Sequence, residues 1–214
     1  MDSSRKSAPS PVVAIEVYSD YVCPYCFLAE GAIEAAADRF AGQATIEWRP
    51  FELRPHPTPT LKPEGDYLQK AWSSSVYPMA ETLGVKIVLP RVSPQPYTRL
   101  AFEGALFAAA HGAGSAYNHR MFTAFFQEER DIGDPAELAE LAEEIGLDRA
   151  AFTDALKRRA YQDPCARLLH HAYETLGVTS VPTIVVGRRA IAGLVPQARL
   201  EEMIAAEIAA IGSA

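Results

Sequence analysis

Only three of the 214 residues are cysteines. That is too few, and odd in number, for a disulfide-stapled scaffold, which relies on paired bridges in place of a large core. Basic residues are also short: 20 Lys and Arg stand against 27 Asp and Glu, a formal net charge of -7. Phosphate backbones are held by clustered Lys and Arg, so no nucleic-acid partner is expected. No apolar run reaches the roughly 18 residues of a membrane span. The nearest, AFEGALFAAAHGAGSA at 101–116, is shorter and carries Glu103 and three glycines, so no membrane partner is expected either. The opening MDSSRKSAPSP has two basic residues but not the apolar stretch that follows them in a secretion signal, which predicts a cytoplasmic location. Hydrophobic residues at 49% and charged ones at 22% are ordinary for a globular protein of one domain, or of one domain with a large insertion. Nothing in the sequence points to an oligomeric state.

Two of the cysteines lie in Val22-Cys23-Pro24-Tyr25-Cys26-Phe27. A close pair is half of a metal site, a staple or a redox centre. Zinc needs about four ligands, and the partners are missing: His170 and His171 are adjacent rather than spaced, and Cys165 stands alone. No metal is expected. A bridge between near neighbours closes too short a loop to stabilise much, and a reducing cytosol works against it. Redox chemistry needs a thiolate, and the start of a helix supplies unpaired N–H groups and a positive dipole end. Pro24 suits the first helical position because its missing N–H has no role there. Cys23 then attacks as nucleophile, and Cys26, one turn inward, resolves the mixed disulfide.

The surrounding pattern supports that placement. VVAIEVY at 12–18 reads as a buried strand, and FLAEGAIEAAADRF repeats apolar residues at helical spacing. TIEWRPFEL predicts a second strand, ended by a proline-rich link. From about Glu64 to Asp163 the pattern is helical. It is clearest at DPAELAELAEEIG, where Asp134 caps, Pro135 begins and Glu137 completes a capping box. A further helix follows Asp163-Pro164, then the β-branched VPTIVVG, a tight turn at Gly187-Arg188 and an amphipathic closing helix. The fold class expected is α/β, with helices inserted in its middle.

Val181-Pro182 stands immediately before that β-branched strand, a natural place for a cis peptide in a rigid turn. Pro182 cannot itself bond the thiols, and its ring can pack beside them while the backbone of Val181 pairs with a bound peptide. Val181, Pro24 and Tyr25 are expected to border the substrate.

With SDYVCPYCFLAEGAIE at 19–34, FELRP at 51–55, FFQEERDIGDPAELAELAEEIGLD at 125–148 and LGVTSVPTIVVGRRAIAGLVP at 176–196, the chain resembles the DsbA-like branch of the thioredoxin superfamily, and within it the FrnE-like dithiol oxidoreductases. The resemblance implies a thioredoxin-like fold with an all-helical domain inserted between the second and third strands: residues 11–60 and 164–212 form the thioredoxin-like part and 61–163 the insertion. It implies Cys23 as nucleophile, Cys26 as resolving cysteine and a cis-Pro182 facing them. The redox-active disulfide replaces any bound cofactor, glutathione is a candidate electron partner, and the substrates are thiol- or disulfide-bearing proteins or small molecules. The Pro24-Tyr25 dipeptide departs from the Pro-His of strongly oxidising relatives, and a tyrosine adds no cation beside the thiolate. A second reading comes from the kappa-class glutathione transferases and 2-hydroxychromene-2-carboxylate isomerases, which are similar in architecture. There the active-site serine is replaced by Cys23, and Cys26 has no task in the isomerisation.

Other residues read as structural. Cys165 is expected to be a small helix residue remote from Cys23. Trp72, Tyr77, Phe102, Phe107, Phe122, Phe125 and Phe126 are expected in the core of the helical block. His56, His111, His119, His170 and His171 read as surface or capping residues, and Asp20 as a loop hydrogen-bonding residue.

Overall fold

The computed structural model describes residues 12–213. Strand β1 (Val13–Ser19) leads into helix α1 (Pro24–Asp38) and strand β2 (Ala44–Pro50). The helical run holds α2 (Asp66–Ala71), α3 (Tyr77–Leu83), α4 (Arg99–Ala110), α5 (Gly114–Phe126), α6 (Pro135–Glu144), α7 (Arg149–Lys157) and α8 (Gln162–His170). Strands β3 (Thr183–Val186) and β4 (Arg189–Ala192) and helix α9 (Gln197–Gly212) complete the chain. A π-helical turn at Trp72–Val76 joins α2 to α3, and another at His171–Thr175 extends α8.

The four strands form one sheet in the order β2-β1-β3-β4, with β2 parallel to β1 and the other neighbours antiparallel. The run after β2 therefore returns the chain to the far side of β1. The thioredoxin-like sheet is thus split by the helices, as the sequence predicts. Gly187, with φ at 59°, turns β3 into β4, in the left-handed region that glycine adopts without strain. A Cβ there would also meet the Glu207 carboxylate at 2.1 Å.

Alternation along β1 builds two cores. Val13, Ile15 and Val17 pack with Ala29 and Ile33 of α1 and with Leu200, Met203 and Ile204 of α9. Tyr18 joins the larger cluster, which runs from the start of α1 through the inserted helices. There Phe27 stacks on Phe126 at 5.6 Å between centroids and lies 5.7 Å from Phe122, which ties the residue after Cys26 to α5. Trp72, Phe102, Phe107, Phe122, Phe125 and Phe126 are buried as expected. Tyr77 is the correction: it is 42% exposed, with its hydroxyl accepting from the Leu89 N–H. Its polar tip keeps it at the surface.

The predicted second strand stops at Pro50 rather than Leu53. Its partner β1 ends opposite it, and beyond that point the backbone is claimed elsewhere: Phe51 N–H bonds to Ser19 O, Glu52 N–H to the Tyr173 hydroxyl, and Leu53 N–H to Asp20. Asp134 caps α6 as predicted, accepting from Ala136 and Glu137 N–H. The reciprocal half of the capping box is absent. Glu137 is drawn away to the Arg130 guanidinium at 2.6 Å, a charge-assisted bond that outcompetes a single backbone N–H.

Gly104 lets α4 approach its neighbours closely, since a Cβ there would stand 2.3 Å from the Tyr117 hydroxyl oxygen and 2.7 Å from Phe152 Cζ. Both rings are fully buried and cannot swing away. Gly104→Ala is expected to destabilise the fold by about 1–3 kcal/mol through overpacking, despite the better helix propensity of alanine. A urea titration showing an unchanged or raised midpoint would contradict this.

Candidate active site

Cys23 is the N-cap of α1, in extended conformation, with Pro24 in the first turn of the helix. No side chain caps this end, so its first N–H groups are left to the chain around Cys23: the Cys26 and Phe27 amides meet only the Cys23 carbonyl, at 3.1 and 3.5 Å. Cys23 and Cys26 are both buried and both thiols. The Val181–Pro182 peptide is cis, and the Cys23 thiol donates to Val181 O at 3.5 Å. Residues 158 apart in sequence are thereby brought into contact.

Cys26 is fully enclosed. Burial drives its thiol well above the ordinary range, and the hydrogen bond and charge of Cys23 add to this; the Ser19 hydroxyl and the Asp20 backbone work in the opposite direction. Such a thiol holds its proton until something takes it.

Asp20 is more deeply placed than loop hydrogen bonding suggests. It is 1% exposed and accepts from Leu53 N–H at 2.8 Å and Val22 N–H at 3.4 Å. Burial raises its carboxyl to about 7, against the opposing bonds from Leu53, Thr98 and Val22. Sequence position alone hides this, because the cover comes from the 51–53 segment and from Thr98 just before α4.

Asp20, Cys23, Pro24, Tyr25 and Val181 line a cavity of about 360 Å³ whose far wall is Tyr67 and Trp72 from the inserted helices. Arg54 supplies a cation at its border. Tyr25 also reaches the insertion directly, its hydroxyl 2.8 Å from Ser75 Oγ on the first π turn. Interrupted helices of this kind often border functional sites. The second π turn carries Tyr173, whose hydroxyl bonds both Glu52 N–H and Glu52 O at 2.9 Å, fixing the segment that covers Asp20.

Cys165 is fully buried near two ion pairs, Arg99–Glu52 and Arg159–Glu103. Burial pushes its thiol up to about 12, which makes it inert at neutral pH. His111 caps the end of α4, with Nδ1 2.8 Å from Phe107 O. His119 does something the sequence does not signal. Its Nδ1 meets buried Glu30 at 2.9 Å, and Asn118 donates to the other carboxylate oxygen at 3.0 Å. Pairing across 89 residues leaves no local pattern to find. Among the described residues no cluster of three or more His, Cys, Asp or Glu has a metal-binding arrangement, and no helix is long and apolar enough to cross a membrane.

A CxxC pair at a strand-to-helix junction, opposite a cis X–Pro peptide on a sheet interrupted by helices, defines a thioredoxin-fold protein with a helical insertion. The chain belongs to the family described as DSBA-like thioredoxin domain, which matches residues 14–205. The Bacillus subtilis (strain 168) protein YwbO is 50% identical over 196 residues, 91% of this chain and 97% of its own. The fold is shared with a 2-hydroxychromene-2-carboxylate isomerase (TM-score 0.71, 21% identity, 90% of this chain and 93% of that one). It is also shared with the cytosolic disulfide reductase DsbM from Pseudomonas aeruginosa with GSH (TM-score 0.63, 20% identity, 94% and 98% covered).

Proposed function

We propose that the protein is a cytoplasmic thiol:disulfide oxidoreductase, exchanging electrons with protein or low-molecular-weight thiols through Cys23 and Cys26. The observation that carries this is the Cys23 thiol at an uncapped helix start, 3.5 Å from the carbonyl of the cis Val181–Pro182 peptide, with Cys26 sealed one turn behind it. The Cys23 thiolate attacks one sulfur of a substrate disulfide, and the other sulfur leaves as a thiolate. Cys26, giving up its proton, then attacks Cys23 Sγ; the Cys23–substrate bond breaks, the second substrate sulfur leaves with the electron pair, and the Cys23–Cys26 disulfide forms. The reverse sequence oxidises a substrate dithiol.

Glutathione is the small-molecule partner this reading favours, with the Cys23–Cys26 disulfide as the redox group and no bound cofactor. The cavity, about 360 Å³, has room for a small thiol, and Arg54 in its lining offers a cation for a carboxylate. The DsbM relative of like fold is named with GSH. Val181, Pro24 and Tyr25 border the substrate, and Pro182 holds the Val181 carbonyl in place.

Cys26→Ser tests the reading. With oxidised glutathione the variant is expected to accumulate one glutathione per chain by mass spectrometry and to stop there, because the resolving thiol is gone. The shared fold with the isomerase supports the rival reading, in which one bound glutathione thiolate does the chemistry. An enzyme of that kind keeps isomerising a hydroxychromene carboxylate after Cys26→Ser, and retention of such activity with no trapped glutathione would overturn the oxidoreductase proposal.

A further inference from the structure

The first π turn carries three serines in a row, Ser73, Ser74 and Ser75, and their hydroxyls part ways. Ser73 Oγ donates to Gln69 O at 2.8 Å and Ser74 Oγ to Lys70 O at 2.7 Å, so both turn back onto carbonyls of their own helix. Ser75 leaves the helix and meets the Tyr25 hydroxyl at 2.8 Å, across 50 residues of sequence. The Tyr77 N–H reaches back to Trp72 O, the wider spacing of a π winding. Trp72 and Val76 of this turn line the Cys23 cavity, whereas Ser74 and Ser75 line a separate groove of about 740 Å³ between α1, α3 and residues 194–197. The walls of that groove are apolar: Leu28 and Ala32, Met79 and Leu83, Leu194 and Val195. Cavity and groove share no lining residue. Tyr25 belongs to the cavity and Ser75 to the groove, so their hydrogen bond crosses the boundary between the two. Among the described residues each hydroxyl has the other as its one side-chain partner.

Resting on the oxidoreductase reading, we infer that Ser75 determines substrate size: its bond to Tyr25 closes the Cys23 cavity against the groove and favours small disulfides over those set within a polypeptide. The reason is the number of exits a substrate needs. A glutathione sulfur carries one residue on each side, which a single mouth accommodates. A half-cystine in the middle of a polypeptide carries a strand in each direction, and two strands need two ways out. One is the mouth beside Leu53 and Tyr67, which are 45% and 68% exposed. The other runs past Tyr25 into the groove and is barred by the tie. Ser75 acts through Tyr25 and is a positioning residue, remote from the reacting sulfurs. One neutral hydrogen bond shifts an equilibrium roughly three- to tenfold, so the tie biases the choice of substrate without forbidding polypeptides.

The test compares two disulfides on the reduced full chain: oxidised glutathione, and a dimer of a short peptide joined through a central cysteine. The second-order rate constant for forming the Cys23–Cys26 disulfide is read by acid quench and mass spectrometry. Ser75→Ala is expected to raise the rate with the peptide dimer roughly three- to tenfold and to leave that with oxidised glutathione unchanged. Ser75→Thr keeps the hydroxyl and is expected to restore the wild-type ratio of the two rates. Tyr25→Phe breaks the same bond from the other side and is expected to shift that ratio by a like factor, with no further shift in the double variant. It carries the test where Ser75→Ala folds poorly. A ratio left unchanged by both single variants overturns the inference, as does an equal rise with both disulfides or a Ser75→Thr chain that behaves like Ser75→Ala. A wild-type chain that neither disulfide oxidises overturns the oxidoreductase reading itself.

Discussion

Replacing Cys23 with serine is expected to reduce thiol–disulfide exchange at least about a thousandfold, equivalent to ~4 kcal/mol of barrier. A serine hydroxyl is a far poorer nucleophile toward a disulfide than a cysteine sulfur, because the attacking species in disulfide exchange is a sulfur anion. The fold should tolerate the change, because the hydrogen bonds of the Cys23 side chain, to Val181 O and to the Cys26 thiol, are ones a hydroxyl can make too. The measurement is the rate of oxidised-glutathione turnover or insulin reduction, with circular dichroism confirming the native fold. Cys165→Ser is the matched control: its thiol is pushed up to about 12 and is fully buried, so exchange should be unaffected. Equal loss in both variants would move the chemistry away from Cys23.

The second large effect concerns stability against pH. Asp20 holds its proton up to about 7 when folded, whereas an unfolded aspartate releases it near ~3.9. Below the unfolded value both states are protonated and this stabilising preference for the folded state is fully present. Between the two values the folded chain binds more protons, so stability falls as pH rises; above about 7 the preference is lost altogether. Three units correspond to an upper value of about 4 kcal/mol. Asp20→Asn removes the titration but keeps an acceptor for Leu53 N–H. Its urea midpoint is therefore expected to hold steady from pH 4 to 8 relative to that of the parent, with the variant becoming the more stable protein at the alkaline end. Parallel curves for the two proteins would mean that Asp20 does not ionise in this range.

The backbone setting of the candidate site was largely legible in the sequence, because its signals are local or come from a distinctive residue type. CPYC follows a β-branched run and opens a helical one, and Val181-Pro182 precedes a strand, so each piece declares its backbone. Distance hid the remainder. Asp20 reads as an ordinary turn residue until the 51–53 segment and Thr98 close over it. Glu137 looks like half of a capping box until Arg130 takes its carboxylate. The pairing of Glu30 with His119 and the bond from Tyr25 to Ser75 join surfaces of separate elements, for which no periodicity is diagnostic. The π turns that carry Ser75 and Tyr173 lie within continuous helical patterns, where propensity cannot tell one helical winding from another.

The sheet order also has a bearing on biosynthesis. Because β1 sits between β2 and β3, the carbonyl that meets Cys23 belongs to a residue translated 158 positions later. At about 5–20 residues per second, a nascent chain presents both thiols for roughly ten to thirty seconds before Val181 has been made. For that interval the pair lacks its carbonyl neighbour, and it gains its helical cover only as residues 66–170 follow it out of the ribosome. Its safe passage depends on surroundings that keep thiols reduced until the last third of the chain has been made.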